Sequence, residues 1–207
     1  MMYNQVLLLI FAGLLCVAGL LLLIRYISRK RLDKKLLKAQ QGDPQAQYET
    51  ALLYYHGKKL PKNYQQTFTL LYRAAQTGHI KALNTLGALY HAGHGTQKDD
   101  VKALACYQKT AETGDFEGMI NLAAMYRMGI GTEINNEQAF CWIKKAADRK
   151  SPLGQRMLAE FYYAGIGTEP DEQAGLRYYL LAAKQKEPVA VKFLKARDAQ
   201  LQRSEKN

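Results

Sequence analysis

The chain has 207 residues, 48% of them hydrophobic, and a net charge of +11 from 29 Lys and Arg against 18 Asp and Glu. A basic balance of that size suggests a nucleic-acid partner until it is divided along the chain: Arg25, Arg29, Lys30, Arg31, Lys34, Lys35 and Lys38 against Asp33 put +6 into residues 1–38, and the other 169 residues carry only +5. With no basic stripe interleaved with aromatics, composition argues against nucleic-acid binding, and three cysteines in no regular spacing argue against a disulfide framework or a metal cluster.

Residues 1–5 form a short uncharged tail. Residues 6–24 contain no charge, and 19 helical residues at about 1.5 Å each span about 28 Å, close to the roughly 30 Å hydrocarbon thickness of a bilayer. This stretch is predicted to be a transmembrane helix. A cleaved signal peptide would carry its positive charge before the apolar run and small residues at a cleavage site, and the bulky Leu15 before Cys16 disfavours a lipoprotein. Ala12, Cys16 and Gly19 share one helical face, a spacing that permits close helix contact and also arises by chance.

The basic residues of segment 25–41 come directly after the span. Lys and Arg at that place are retained on the cytoplasmic side, so the expected topology is an inner, cytoplasmic-membrane protein with one span and the rest of the chain in the cytoplasm. The alternative places the rest in the periplasm. The same cluster could hold anionic lipid head groups, at about 1 kcal/mol per residue. Leu32, Leu36 and Ala39 lie 36 residues before Phe68, Tyr72 and Ala75, which predicts a helix capping the remainder of the chain at its membrane end.

From residue 42 the sequence repeats every 36 residues. Tyr90, Gly93, Gly95 and Thr96 recur as Tyr126, Gly129, Gly131 and Thr132, and as Tyr162, Gly165, Gly167 and Thr168. A weaker copy keeps Tyr54 and Gly57 but has Lys59 and Leu60 where the second glycine and threonine stand. A fixed period of this size signals stacked helical repeats. Four units are read, at 42–77, 78–113, 114–149 and 150–185, with 186–207 as a C-terminal capping helix and polar tail.

Each unit reads as two antiparallel helices. Asp43, His79, Asp115 and Ser151 precede the first helix, and Asn63, Asp99, Asn135 and Asp171 the second, where short polar side chains accept from free amides. Gly93, Gly129 and Gly165 are expected to end the first helix in a left-handed conformation, and the second glycines to permit a tight return. Such a Gly-x-Gly comes after a helix, so it is not read as a phosphate loop. Ala46, Ala82, Gly118 and Gly154 form a small-residue row. Leu86, Leu122, Leu158 and Leu194 form a large one, with Thr50 as its polar exception. Cys106 and Cys141 are expected to be small apolar core residues.

Small-x-x-x-Leu-(Gly/Ala)-x-x-Tyr-x-x-Gly-x-Gly, with a second helix ending in Ala-Ala, resembles the Sel1-like repeat, a relative of the tetratricopeptide repeat. The resemblance implies an all-α, right-handed α-solenoid whose first helices line a concave, protein-binding face. On that face the candidate contact residues are Tyr48, Tyr55, His56, Lys81, Asn84, His91, Arg127, Arg156, Glu160 and Tyr163. The fourth unit departs from the pattern with Gly175 where alanine is usual. Cysteine pairs of the secreted branch of the family are missing.

No nucleophile beside a base, paired carboxylates or metal cluster is legible. His91 and His94 near Asp99 and Asp100 come closest, with His94 inside the glycine turn. No cofactor, metal or small-molecule substrate is therefore expected. The sequence is read as a membrane-anchored, non-enzymatic adaptor or scaffold in an envelope-associated assembly. The alternative is a periplasm-facing accessory factor of secretion or cell-wall assembly.

Overall fold

The computed structural model describes the backbone of residues 2–204 and the side chains of residue 17 and residues 19–203. Helix α1 (Met2–Gln40) runs without interruption through the predicted span into the predicted cap. Most side chains of the span at residues 6–24 lie outside the described residues, and among the described residues no helix is long and apolar enough to cross a membrane.

After α1 come four helix pairs, every helix 13 residues long: α2 (Pro44–His56) with α3 (Tyr64–Gln76), α4 (Ile80–Ala92) with α5 (Asp100–Glu112), α6 (Phe116–Met128) with α7 (Asn136–Asp148), and α8 (Pro152–Ala164) with α9 (Glu172–Lys184). Helix α10 (Pro188–Ser204) closes the array. Each helix packs on its neighbours in sequence, from α1 against α2 through to α9 against α10.

All eight predicted capping side chains accept a backbone amide, at 2.6–3.1 Å. Such a cap typically contributes about 1 kcal/mol over alanine. Glu187 does the same for α10, accepting from Ala190 N at 2.6 Å. Gly57, Gly93, Gly129 and Gly165 end the first helices at φ +63 to +69.

Four apolar clusters succeed one another along the array, each built from two or more neighbouring helices. Leu71, Leu122, Ile143 and Leu158 are fully buried, and Thr50 takes the leucine position of the first unit, buried with its hydroxyl unpartnered among the described residues. The small row is small because helices touch there. A Cβ on Gly118 would stand 2.2 Å from Thr110 Oγ1, and one on Gly154 2.9 Å from the Ala146 carbonyl carbon. Gly175, the departure in the fourth unit, leaves room for Tyr163, whose ring carbon would lie 2.6 Å from an added Cβ.

One core expectation fails. Cys106 is buried, but Cys141 is exposed. It lies 36 residues from Ala105 and from Arg177, both exposed on the outer side of their second helices, and the apolar character of cysteine does not override that register.

Candidate protein-binding face

Residues of the first helices α2, α4, α6 and α8 stand in rows 36 apart, so each row presents one residue per unit in fixed order. His56, Lys81 and Arg127 are exposed. The same helices expose apolar side chains, with Phe116, Met128 and Leu153 52%, 51% and 40% exposed.

The aromatic residues of the first unit are brought together. Tyr55 is half-buried among His56, Tyr64 and His94, with ring centroids 5.1, 5.5 and 6.2 Å away. His94 stacks on Tyr64 at 4.3 Å and 7°. Tyr48 packs beneath His79, whose Nε2 meets Gln45 Oε1 at 2.9 Å while Nδ1 accepts from Ala82 N. That pairing fixes the tautomer: the acceptor Nδ1 is bare and Nε2 carries the proton donated to Gln45.

Other predicted contacts are engaged within the fold. His91 Nδ1 lies 2.5 Å from Asp100 Oδ1, and Lys98 Nζ lies 3.3 Å from the other carboxylate oxygen. The His91 hydrogen bond, then Lys98, holds the Asp100 carboxyl below its ordinary range. Arg156 pairs with Glu160 one turn on and, through Nε at 3.4 Å, with Glu187 before α10. The Nε contact is an ion pair without hydrogen-bond geometry. Tyr163 accepts from Arg197 Nη1 at 2.9 Å and packs on Phe193 and Tyr179. In the fourth unit, Tyr163 is thus covered by α10 and Arg156 is tied to the residue before it, while the Glu160 side chain stays 42% exposed.

Asn84 is not a surface residue. It is 6% exposed, and its side-chain oxygen is approached by Thr110 Oγ1 and Asn121 Nδ2, each at 3.4 Å. Its row mates Tyr48 and Arg156 are long enough to reach outward, whereas the short amide stays between helices.

A second surface is not singled out by the sequence. Between successive second helices lie three grooves of about 300, 530 and 460 Å³ in equivalent register. The first has Ala75, Gln76, Leu83, Cys106 and Lys109 where the next has Ala111, Glu112, Met119, Trp142 and Lys145, with Lys145 Nζ 3.9 Å above the Trp142 ring. None of the ten predicted contacts lines them. Among the described residues, no three His, Cys, Asp or Glu side chains converge as a metal would need.

The Sel1 repeat matches the chain four times in succession, at residues 44–79, 80–115, 116–151 and 152–187. The chain belongs to the Sel1 repeat family. Those bounds begin two residues later than the units read from the sequence, at the first residue of each first helix. Among solved structures, the Sel1 array is similar to a protective antigen of uropathogenic Escherichia coli displaying an SLR fold, with 29% identity and a TM-score of 0.74 over 79% of this chain and 35% of that one. It is also similar to a Sel1 repeat protein from Oxalobacter formigenes, with 30% identity and a TM-score of 0.67 over 74% of this chain and 63% of that one. An immunity protein from Pseudomonas aeruginosa shows 27% identity and a TM-score of 0.52 over 71% of this chain and 55% of that one. The chain spans less than two thirds of the length of each. No curated protein matches the sequence.

Proposed function

We propose that this Sel1 repeat protein is a membrane-anchored, non-enzymatic adaptor that binds a protein partner through the face formed by α2, α4, α6 and α8. The observation that carries the reading is the register itself. Core rows keep their character from unit to unit, while the row Tyr55, His91, Arg127 and Tyr163, exposed at His91 and Arg127 and half-buried at its two tyrosines, changes its chemistry at every step. A surface that varies on an invariant scaffold is suited to reading the side chains of an extended or helical partner, with Tyr and Arg supplying area and hydrogen bonds together.

Anchoring is proposed from residues 6–24 and the cations directly after them, and the same charge bias assigns the repeats to the cytoplasmic side. Fusing the C-terminus to a fluorescent protein that matures only in the cytoplasm, or to a phosphatase active only outside it, tests that assignment. Fluorescence without phosphatase activity is the expected result. The opposite pattern moves the repeats to the periplasm and the partner with them. Recovery of the protein in the soluble fraction after cell breakage would remove the anchor altogether.

The partner-binding half of the reading is tested by pull-down from detergent-solubilised membranes. A specific protein should be recovered and then lost when His56, Lys81 and Arg127 are replaced together by alanine. Undiminished recovery would exclude this face.

A further inference from the structure

The 36-residue register aligns Arg31, Lys34, Lys35 and Lys38 of α1 with Thr67, Leu70, Leu71 and Ala74 of α3. In α3 these positions form the inner side. Thr67, Leu71 and Ala74 are fully buried, and Leu70 packs against the core. Helix α1 therefore stands as the second helix of an incomplete unit. It joins the array through Ala39, which is buried and accepts from Gln47 Nε2 at 3.3 Å. The side that a first helix of that unit would cover carries four cations in place of the core.

These cations border a cleft of about 310 Å³ completed by Asp43, Gln45, Ala46 and Glu49 of the α2 end. Both carboxylates are already engaged: Lys35 pairs with Glu49, and Asp43 accepts from Ala46 N. Arg31, Lys34 and Lys38 have no carboxylate partner among the described residues. At spacings of three, four and seven residues they share one helix face, about 5–6 Å apart between neighbours, where like charges repel. An anion between them relieves that repulsion.

Height along α1 separates this cleft from the bilayer. Counting from Ile24 at about 1.5 Å per residue, Arg25, Arg29 and Lys30 fall within about 9 Å, at or near a head-group layer roughly 5–8 Å deep. Arg31, Lys34 and Lys38 fall about 10–21 Å out on an upright helix, beyond that layer. No aromatic residue lines the cleft for a nucleic-acid base to stack on.

We propose that this cleft binds a carboxylate-rich segment of the partner protein, lying where the first helix of a preceding repeat would pack. The inference deepens the adaptor reading and rests on it, supplying the partner's chemistry at the α1 end of the array. Anionic groups on such a segment meet Arg31, Lys34 and Lys38 while its length continues along α2.

The test uses the full chain in nanodiscs of zwitterionic lipid and a fluorescein-labelled glutamate-rich peptide, monitored by anisotropy. The peptide should bind, weaken as salt is raised, and lose binding when its glutamates are replaced by glutamine. Combined Arg31→Gln, Lys34→Gln and Lys38→Gln should lower affinity about ten-fold or more, and combined Arg25→Gln, Arg29→Gln and Lys30→Gln should leave it unchanged. Equal affinity in the cleft variant, or no binding of the peptide to the parent, overturns the proposal. So does complete displacement by inorganic phosphate at equal charge concentration, which would make it a phosphate site. A loss confined to adsorption on anionic-lipid nanodiscs would make it a head-group site. The pull-down reads the adaptor function separately: a partner lost from the His56, Lys81 and Arg127 variant alongside an unbound peptide sinks the cleft and leaves the adaptor standing.

Discussion

Gly131 lies so close to the first residue of α5 that a Cβ on it would come within 2.3 Å of the Asp100 carbonyl oxygen. Gly95 meets Tyr64 of α3 at 2.1 Å, and Gly167 meets Asn136 of α7 at 2.1 Å, in the same way. The second glycine of each turn therefore sets how closely one unit stacks on the one before. Lys59 holds the same left-handed backbone, at φ +66, with a side chain, because the second helix of the preceding unit is α1, which passes the residue equivalent to Tyr64, Ser28, without starting anew. The side chain excluded elsewhere is exposed there.

Gly131→Ala combines a backbone clash with a left-handed φ of +68. It should cost about 2–4 kcal/mol, read by urea unfolding of the full-length protein monitored by far-ultraviolet circular dichroism. Lys59→Gly should change stability by about 1 kcal/mol or less. Comparable losses in the two variants would refute the stacking role of the second glycine.

His79 caps α4 only through a bare Nδ1, which protonation would turn into a donor facing Ala82 N. His79→Ala should lose about 1 kcal/mol, while His79→Asp, which copies Asp43 and Asp115, should hold or exceed parental stability near neutral pH. If His79→Asp is as unstable as His79→Ala, the imidazole acts through Tyr48 and Gln45 and not as a cap.

Arg156 joins α8 to the residue that caps α10. Its truncation leaves Glu187, whose side chain is only 11% exposed, without its ion-pair partner. Arg156→Ala should speed amide hydrogen exchange across α10 about ten-fold or more while leaving α4 and α6 unchanged. Uniform acceleration across all helices would show that α10 does not open by itself.

Burial pushes the Cys106 thiol up from 9.0 to about 11 and the Tyr107 hydroxyl from 10.0 to about 12. Both groups keep their protons in the folded chain where the unfolded chain has lost them. Their contribution is thus intact below about pH 9, and is lost as pH rises through about 11 for Cys106 and about 12 for Tyr107. Each pKa unit corresponds to about 1.4 kcal/mol, so the joint loss is on the order of a few kcal/mol. Cys106→Ala should flatten the fall between pH 9 and 11, and an unchanged alkaline profile would rule out Cys106 as a source.

Periodicity makes most of this architecture legible. Tyr90, Tyr126 and Tyr162 fix the step, and the eight caps come with it because a helix start needs a short acceptor at one position. What escapes the sequence depends on neighbours outside the motif. Asn84 reads as a contact because it shares its row with Tyr48 and Arg156, which have long polar side chains, but its short amide bonds inward to Thr110 and Asn121. Tyr163 and Arg156 read as open because their partners Arg197 and Phe193 of α10, and Glu187 just before it, lie beyond the four units read from the sequence. Cys141 is misplaced when residue type is weighed above register, which points it outward.

The unbroken course of α1 through Ser28 and on to Gln40 gives the array a rotational phase. In a continuous helix each residue advances the chain by about 1.5 Å and turns it by about 100°. Deleting one residue between Ile24 and Leu32 would swing every repeat about the shaft by more than a quarter turn while barely changing its height. Removing seven would restore the azimuth to within about 20° and bring the array about 10 Å nearer its base. The direction in which the first-helix face looks is therefore written in the residue count of α1, independently of any side chain on that face.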